Sequence, residues 1–379
     1  MKTSFYEFVL QWGRRPIVVL GHGARVAGVD VDRILGYGAP VLTSWQAADL
    51  VDNWHPNYFG RPGIYGQRVA NKIMYEADHI VSIGCRLTPW MIGHAGLRKE
   101  QTLTFIDVDS SEAARFDEQA QFVKIDAAEF VEKNMHFAFR DEWLAQCKKW
   151  KSQYPLIEEA HADTDGYINS YRFVANLERF FKRDQIIVTD VGALMCPVFQ
   201  VLKLRPPQRL MTSGGLGEMG CGLPAAIGAS FATGKGEVLC LVGDGGMQMN
   251  MQELQTIVHH QLPVKIIVFE NDGYGMIKGT HKNLRFPYTG VSKASGVSAP
   301  DFCRIADAYD IGTCDVRTWA EANRWIPAMM ESKRPFLMQV HIDPEQTYVP
   351  RLQPTISTDG KITPAIFGVM SPILEAENA

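Results

Sequence analysis

Two short stretches carry residue types suited to chemistry. Gly243-Asp244-Gly245-Gly246 puts one acid among three glycines, and Asn271-Asp272-Gly273 follows with its amide 27 positions after Asp244. Glycines without side chains let backbone N–H groups approach a phosphate closely, and a helix starting there adds its positive end. Asp244 offers a hard carboxylate oxygen, Asn271 an amide oxygen and Gly273 a carbonyl. That sparse shell suits Mg²⁺ shared with phosphate oxygens and is too poor in carboxylates for a Ca²⁺ cage. No Gly-Lys-Ser/Thr follows the glycines, which excludes a P-loop. Taken singly, an Asp after a strand also caps helices, and Asn-Asp-Gly-Tyr also makes plain turns.

The elements around these stretches can position them. Val238 to Val242 reads as a buried strand. Met249, Leu254, Ile257 and Val258 recur at helical spacing, Pro263 ends that helix, and Val264 to Phe269 reads as a second buried strand. Strand, glycine turn, helix and strand make a parallel unit that delivers Asp244 and Asn271 at the carboxyl ends of two strands, where such sheets bind ligands. Upstream, a helix at Tyr171 to Phe181 precedes a strand at Ile186 to Val191, and another helix follows Gly220. Downstream come helices at Asp301 to Tyr309 and Ala320 to Met330, and a strand at Phe336 to Ile342.

The first part of the chain alternates in the same way. Strands are expected at Ile17 to Leu20, His79 to Ile83, Leu103 to Val108 and Phe122 to Ile125, and helices at Ala127 to Phe139 and Glu142 to Tyr154. The polar segment His161 to Gly166 reads as a linker. The expectation is therefore an α/β protein with two doubly wound parallel-sheet domains, 1–160 and 161–345, and a tail over 346–379.

Composition narrows the function classes. The 379 residues are 46% apolar and 21% charged, as in globular proteins that bury sizeable cores. A net charge of −4 without basic blocks gives no nucleic-acid footprint. Seven scattered cysteines lack Cys-x-x-Cys spacing and read as reduced thiols. The N-terminal stretch lacks a long apolar run and a cleavage site, so no leader and no membrane span are expected and a cytoplasmic location is the default. Gly21-His-Gly23 follows a strand, but the third glycine stands at 28 in place of Val26. The dinucleotide fingerprint fails, which disfavours a nicotinamide oxidoreductase. His259 and His260 are helical neighbours about 100° apart and cannot share a metal from one face.

Together, Gly243-Asp244-Gly245 with Asn271, and the upstream run from Ser213 to Gly228, SGGLGEMGCGLPAAIG, resemble the thiamine diphosphate enzymes of the acetolactate synthase type. The resemblance implies thiamine diphosphate and Mg²⁺ as cofactors, with Asp244, Asn271 and Gly273 as metal ligands. Val191, Gly192, Gly217, Met219, Gly243, Asp244, Gly245, Gly246, Asn271, Gly273, Tyr274, Gly275 and Met276 would line the cofactor. Gly217 would face the aminopyrimidine, Met219 would be the wedge that bends the cofactor, and Met276 would lie beside the thiazolium. By their place just after the metal-binding loop, and apart from the resemblance, Lys278 and His281 are read as facing substrate or as part of a solvated turn. Gly60 to Gly66, Ile83 to Arg86 and Ile106 to Asp109 resemble turns of the same family's middle domain, which in some members binds the ADP half of FAD. Gly21, Gly23, Arg86, Asp107 and Asp126 are the implied contacts of such a flavin or ADP site.

Departures from the family qualify the substrate. Glu270 precedes the metal-binding Asn271 where many relatives carry an amide. Thr280 stands where acetolactate synthases carry the tryptophan that selects the second keto acid, and Ala193-Leu194 replaces a polar pair. The resemblance begins at the middle domain, so the pyrimidine-binding domain and its glutamate are expected on a separate chain. The implied function is the diphosphate-binding subunit of a hetero-oligomer, built on a dimer, that decarboxylates a 2-keto acid such as pyruvate and joins the two-carbon unit to a carbonyl acceptor. A simple decarboxylase subunit and a non-catalytic relative are the alternatives.

Overall fold

A computed structural model describes residues 13–134, 141–356 and 362–374. The end of the helix expected to reach Phe139 and the first twelve residues lie outside them. The chain divides into two compact units: residues through Leu156 together with those from Val349 on, and Ile157–Tyr348.

The first unit holds five parallel strands, β1 (Pro16–Leu20), β2 (Val41–Thr43), β3 (His79–Ile83), β4 (Thr102–Asp107) and β5 (Ala120–Lys124), in the order β2-β1-β3-β4-β5. β1 and β3 are buried along their whole length. Helices on both faces of a parallel sheet favour such continuous burial in place of alternation. Leu352, Phe367 and Met370 pack into this unit's core beside Phe59, Ile73 and Phe105. A separate two-stranded ribbon, β12 (Thr355–Ile356) with β13 (Ile362–Thr363), pairs antiparallel.

The second unit holds six parallel strands: β6 (Ile186–Thr189), β7 (Arg209–Met211), β8 (Val238–Gly243), β9 (Val264–Glu270), β10 (Gly312–Val316) and β11 (Phe336–His341). Their order is β10-β11-β9-β8-β6-β7. From β6 the chain moves outward to β7, then crosses back to β8 on the other side of β6. The order reverses between β6 and β8, and the crevice that forms at such a reversal is where open α/β sheets bind ligands. Val238, Cys240, Val242, Val264, Ile266 and Val268 form the core beneath it with Leu223, Leu254 and Phe302.

The expected strands all form, and three more join the two parallel sheets. β2, β7 and β10 are short or half-exposed, and their sequences carry too few apolar residues to stand out. The helix after β8 differs from expectation. It starts at Asp244 itself, with Gly243 as N-cap, so Gly245 and Gly246 lie in its first turn and not in a preceding loop. It breaks at a 3-10 turn over Met251–Glu253 and resumes as Leu254–His260, ending on Gln261 in the left-handed conformation before Pro263 is reached.

Close backbone approach fixes the end of β1. A Cβ on Gly21 would stand 2.1 Å from the Gly84 carbonyl oxygen. Gly21→Ala is therefore expected to destabilise the first unit by about 3 kcal/mol, the upper range for overpacking, as measured by chemical denaturation; an unchanged midpoint would contradict the close approach.

Candidate active site

Asp244 is the centre of the crevice. Its carboxylate is 3% exposed, and it accepts three backbone N–H groups. Gly245 donates to one oxygen at 2.7 Å, while Asn271 and Gly273 donate to the other at 3.2 and 3.0 Å. The end of β8 and the loop after β9 are thus joined through a single side chain. For both loop N–H groups to converge, Asp272 adopts φ +56° and Gly273 φ +134°. The first is a left-handed conformation that costs a non-glycine residue energy, and strain of this kind concentrates at functional sites.

Electrostatics set Asp244 apart. Among the described residues no lysine, arginine or histidine pairs with it, and no group of three or more His, Cys, Asp and Glu could hold a metal unaided. Burial pushes its pKa from 3.8 up to about 6 in spite of the three donors, and nearby Glu270 adds to the rise. A buried, uncompensated carboxylate is the group a divalent cation would neutralise, with phosphate oxygens completing the shell.

Three glycines of these turns adjoin open space. A Cβ added at Gly192, Gly217 or Gly243 would meet nothing within 4 Å, and the first two have φ of +96° and +71°. Gly245 and Gly246 differ: there a Cβ would strike the Tyr274 ring at 2.4 Å and the Asp190 Oδ2 at 2.0 Å. Three glycines therefore line open space and two permit tight packing. The residues present fit a diphosphate with a divalent cation.

Asp190 is the clasp that holds the crevice together. It is fully buried at the end of β6. One oxygen accepts from the Val191 N–H at 2.9 Å and from the Cys221 thiol at 3.4 Å, the other from the Gly220 N–H at 3.0 Å. Burial raises its pKa, against which those donors work. Asp190 thus caps the turn before the Gly222–Ala232 helix. Asn250 donates to the Gly220 carbonyl at 2.7 Å and ties the same turn to the helix of Asp244.

The other residues singled out in the sequence gather here as well. The Met219 methyl lies 3.1 Å from the Cβ position of Gly245, and Met219 is 37% exposed, so it is no core side chain. Met276 sulfur stands 3.9 Å from the Cys196 thiol. Thr280 turns back onto the Met276 carbonyl at 3.0 Å. Lys278, expected towards substrate, instead pairs with Glu345 at 2.5 Å and donates to the Pro344 carbonyl. His281 sits on the same Gly275–Leu284 helix, none of whose residues is buried.

Two features had no sequence signal. Glu270 forms a bridge: one oxygen accepts from the Asp272 N–H at 2.9 Å, and the other meets His341 Nδ1 at 2.7 Å, while His341 Nε2 meets Asp315 at 2.5 Å. Burial opposes charge on His341, yet its two carboxylate partners outweigh burial and raise its pKa. The trio crosslinks the carboxyl ends of β9, β11 and β10 and braces the strained loop. Tyr348, in the stretch read as a tail, accepts a hydrogen bond from Asn271 Nδ2 at 3.2 Å. These contacts join residues 26 to 77 positions apart.

In the first unit, the implied flavin contacts lie at the carboxyl ends of strands but already have partners. The Gly21 and Gly23 N–H groups donate to the carbonyls of Ile83 and Gly84 at 3.0 and 2.9 Å. Arg86 pairs with Glu112 at 2.9 Å, Asp107 accepts from the Asp109 N–H, and Asp126 caps the Ala127–Asn134 helix through Ala128 and Glu129.

Residues 190–340 match the family model of the thiamine pyrophosphate enzyme C-terminal TPP binding domain, and residues 9–133 that of the central domain. The chain is 29% identical over 350 residues to the acetolactate synthase isozyme 1 large subunit of Escherichia coli, covering 90% of this chain and 61% of that one. It is 28% identical over 356 residues to a probable acetolactate synthase large subunit of Methanococcus aeolicus, covering 87% and 58%. A third, from Lactococcus lactis, is 26% identical over 364 residues, covering 93% and 62%. The chain thus spans about three fifths of the length of these relatives. Among the described residues no helix is long and apolar enough to cross a membrane.

The Asp244 carboxyl makes metal affinity pH-dependent. Its folded pKa of about 6 lies above its ordinary 3.8. The metal-free fold therefore takes up a proton, and gains stability, as pH falls through that window. Mg²⁺ needs the ionised form, so its affinity in the presence of thiamine diphosphate should fall about tenfold per pH unit below about 6. Calorimetric titration between about pH 7.5 and 5 measures this; a flat affinity across that range would contradict the assignment.

Proposed function

Because the chain belongs to the thiamine pyrophosphate enzymes, carrying their central and C-terminal domains, we propose that it binds thiamine diphosphate and Mg²⁺ at Asp244, Asn271 and Gly273 in an acetolactate synthase-type reaction. The reaction would decarboxylate a 2-keto acid, pyruvate in the first instance, and join the two-carbon unit to a carbonyl acceptor. The observation that supports this most strongly is the buried carboxylate of Asp244. It has no cationic partner among the described residues and stands beside open, glycine-lined space at the switch point of the sheet. The relatives' names support the reaction type.

Thiamine diphosphate, when bound, supplies the electron sink that keto-acid decarboxylation requires. The protein binds and orients it. Asp244 and the Asn271 amide oxygen would hold the cation, and the N–H groups at the start of the Asp244–Asn250 helix would meet the diphosphate. Met219 and Met276 offer apolar surface to the rings and exclude water. Thr280 and the Ala193-Leu194 pair, in place of a tryptophan and a polar pair, would admit an acceptor other than a second pyruvate.

The acid-base partner of the aminopyrimidine is proposed to come from a pyrimidine-binding domain on a separate chain, in a hetero-oligomer built on a dimer. The carboxylates at the crevice support this: Asp190, Asp244 and Glu270 are each committed to internal hydrogen bonds. A flavin is not part of the proposal, since the candidate contacts in the first unit have internal partners.

Asp244→Asn removes the charge and turns an NH₂ group against backbone donors. Calorimetry should show the affinity for Mg²⁺ and thiamine diphosphate falling by about two orders of magnitude; unchanged affinity would contradict the metal assignment. Assayed alone, the chain should decarboxylate pyruvate only marginally, with activity appearing when the partner chain is added. Full activity of the isolated chain would overturn the composite arrangement, and a product unchanged by added aldehyde acceptors would favour a simple decarboxylase.

A further inference from the structure

An asparagine that binds a cation must present its oxygen, and nothing about the size of an amide decides which end faces the metal. Only hydrogen bonding distinguishes Oδ1 from Nδ2. Asn271 Nδ2 donates to Tyr348 Oη at 3.2 Å, and Tyr348 is 8% exposed. The pair is tightly enclosed. A Cβ on Gly275 would lie 2.6 Å from Asn271 Nδ2, 3.2 Å from Ala193 Cβ and 3.3 Å from Tyr348 Oη. Meanwhile the Asn271 main-chain N–H is committed to Asp244, which fixes the root of the side chain. A tyrosine hydroxyl keeps lone pairs with which to accept an N–H.

We propose that Tyr348 is a positioning residue for the metal site: its hydroxyl accepts the Asn271 Nδ2–H and thereby turns Oδ1 towards the cation at Asp244. A hydrogen bond at one end of a planar amide leaves the opposite end pointing away from the bonded partner. Gly275 belongs to the same device, because any side chain there would displace the amide. The inference rests on the magnesium reading of Asp244 and Asn271 given above.

Tyr348→Phe removes one oxygen and keeps the ring. In the full chain, the affinity for Mg²⁺ in the presence of thiamine diphosphate should weaken about tenfold, the scale of one buried hydrogen bond. An Asn271→Asp background separates positioning from general packing. A carboxylate presents an oxygen in either orientation and needs no partner to set it, so there the Tyr348→Phe substitution should change Mg²⁺ affinity by less than about twofold. That pattern supports the proposal. Equal losses in both backgrounds, or no loss in the Asn271 background, would overturn it. Failure of the unsubstituted chain to bind Mg²⁺ with thiamine diphosphate would remove the magnesium reading and this inference with it, an outcome distinct from either.

Discussion

A single buried carboxylate governs the second unit. Asp244 draws three backbone N–H groups from two separate segments, and those bonds bring the end of β8 and the loop after β9 to one point. Charged without a cationic partner, the group costs the metal-free fold on the order of 3 kcal/mol at neutral pH, from its rise to about 6. Unpartnered buried charge is retained where it does something for function, and a divalent cation would relieve this cost. The strained Asp272, the Glu270–His341–Asp315 bridge and the Asn271–Tyr348 bond all hold the same loop in place around it.

The two sheets share a construction and differ in what happens at their switch points. Between β1 and β3, the glycines of one turn pack into those of the other, and Gly21, Gly23 and Gly84 approach so closely that no side chain fits. Between β6 and β8, the clasp is a side chain, Asp190, which holds the Gly220 turn back and leaves the glycines at 192, 217 and 243 facing space. Backbone packing closes one crevice, and a buried acid spans the other.

Much of this was legible in the sequence, for identifiable reasons. β8 is an unbroken apolar run and β9 a run broken by Lys265, both buried almost throughout, and their ends are marked by Gly243 and Asn271. What escaped reading was of two kinds. β2, β7 and β10 are short or exposed on one side, and pattern alone cannot separate them from loops. The Asp315–His341–Glu270 bridge and the Asn271–Tyr348 bond join residues far apart in the chain, and no local spacing encodes such pairings. Asp190 ends β6, and its contacts with the Gly220 N–H and the Cβ position of Gly246 depend on the fold.

The central claim is that a cation and a diphosphate sit together at Asp244. Mn²⁺, a paramagnetic substitute for Mg²⁺, tests this directly when added with thiamine diphosphate to the isotopically labelled chain. Amide NMR signals of Gly243 to Gly246, Asn271 to Gly275 and Gly192 should broaden first, while those of Gly21 and Gly23 stay sharp. Broadening centred on the first unit, or spread without preference over surface acids, would contradict the account.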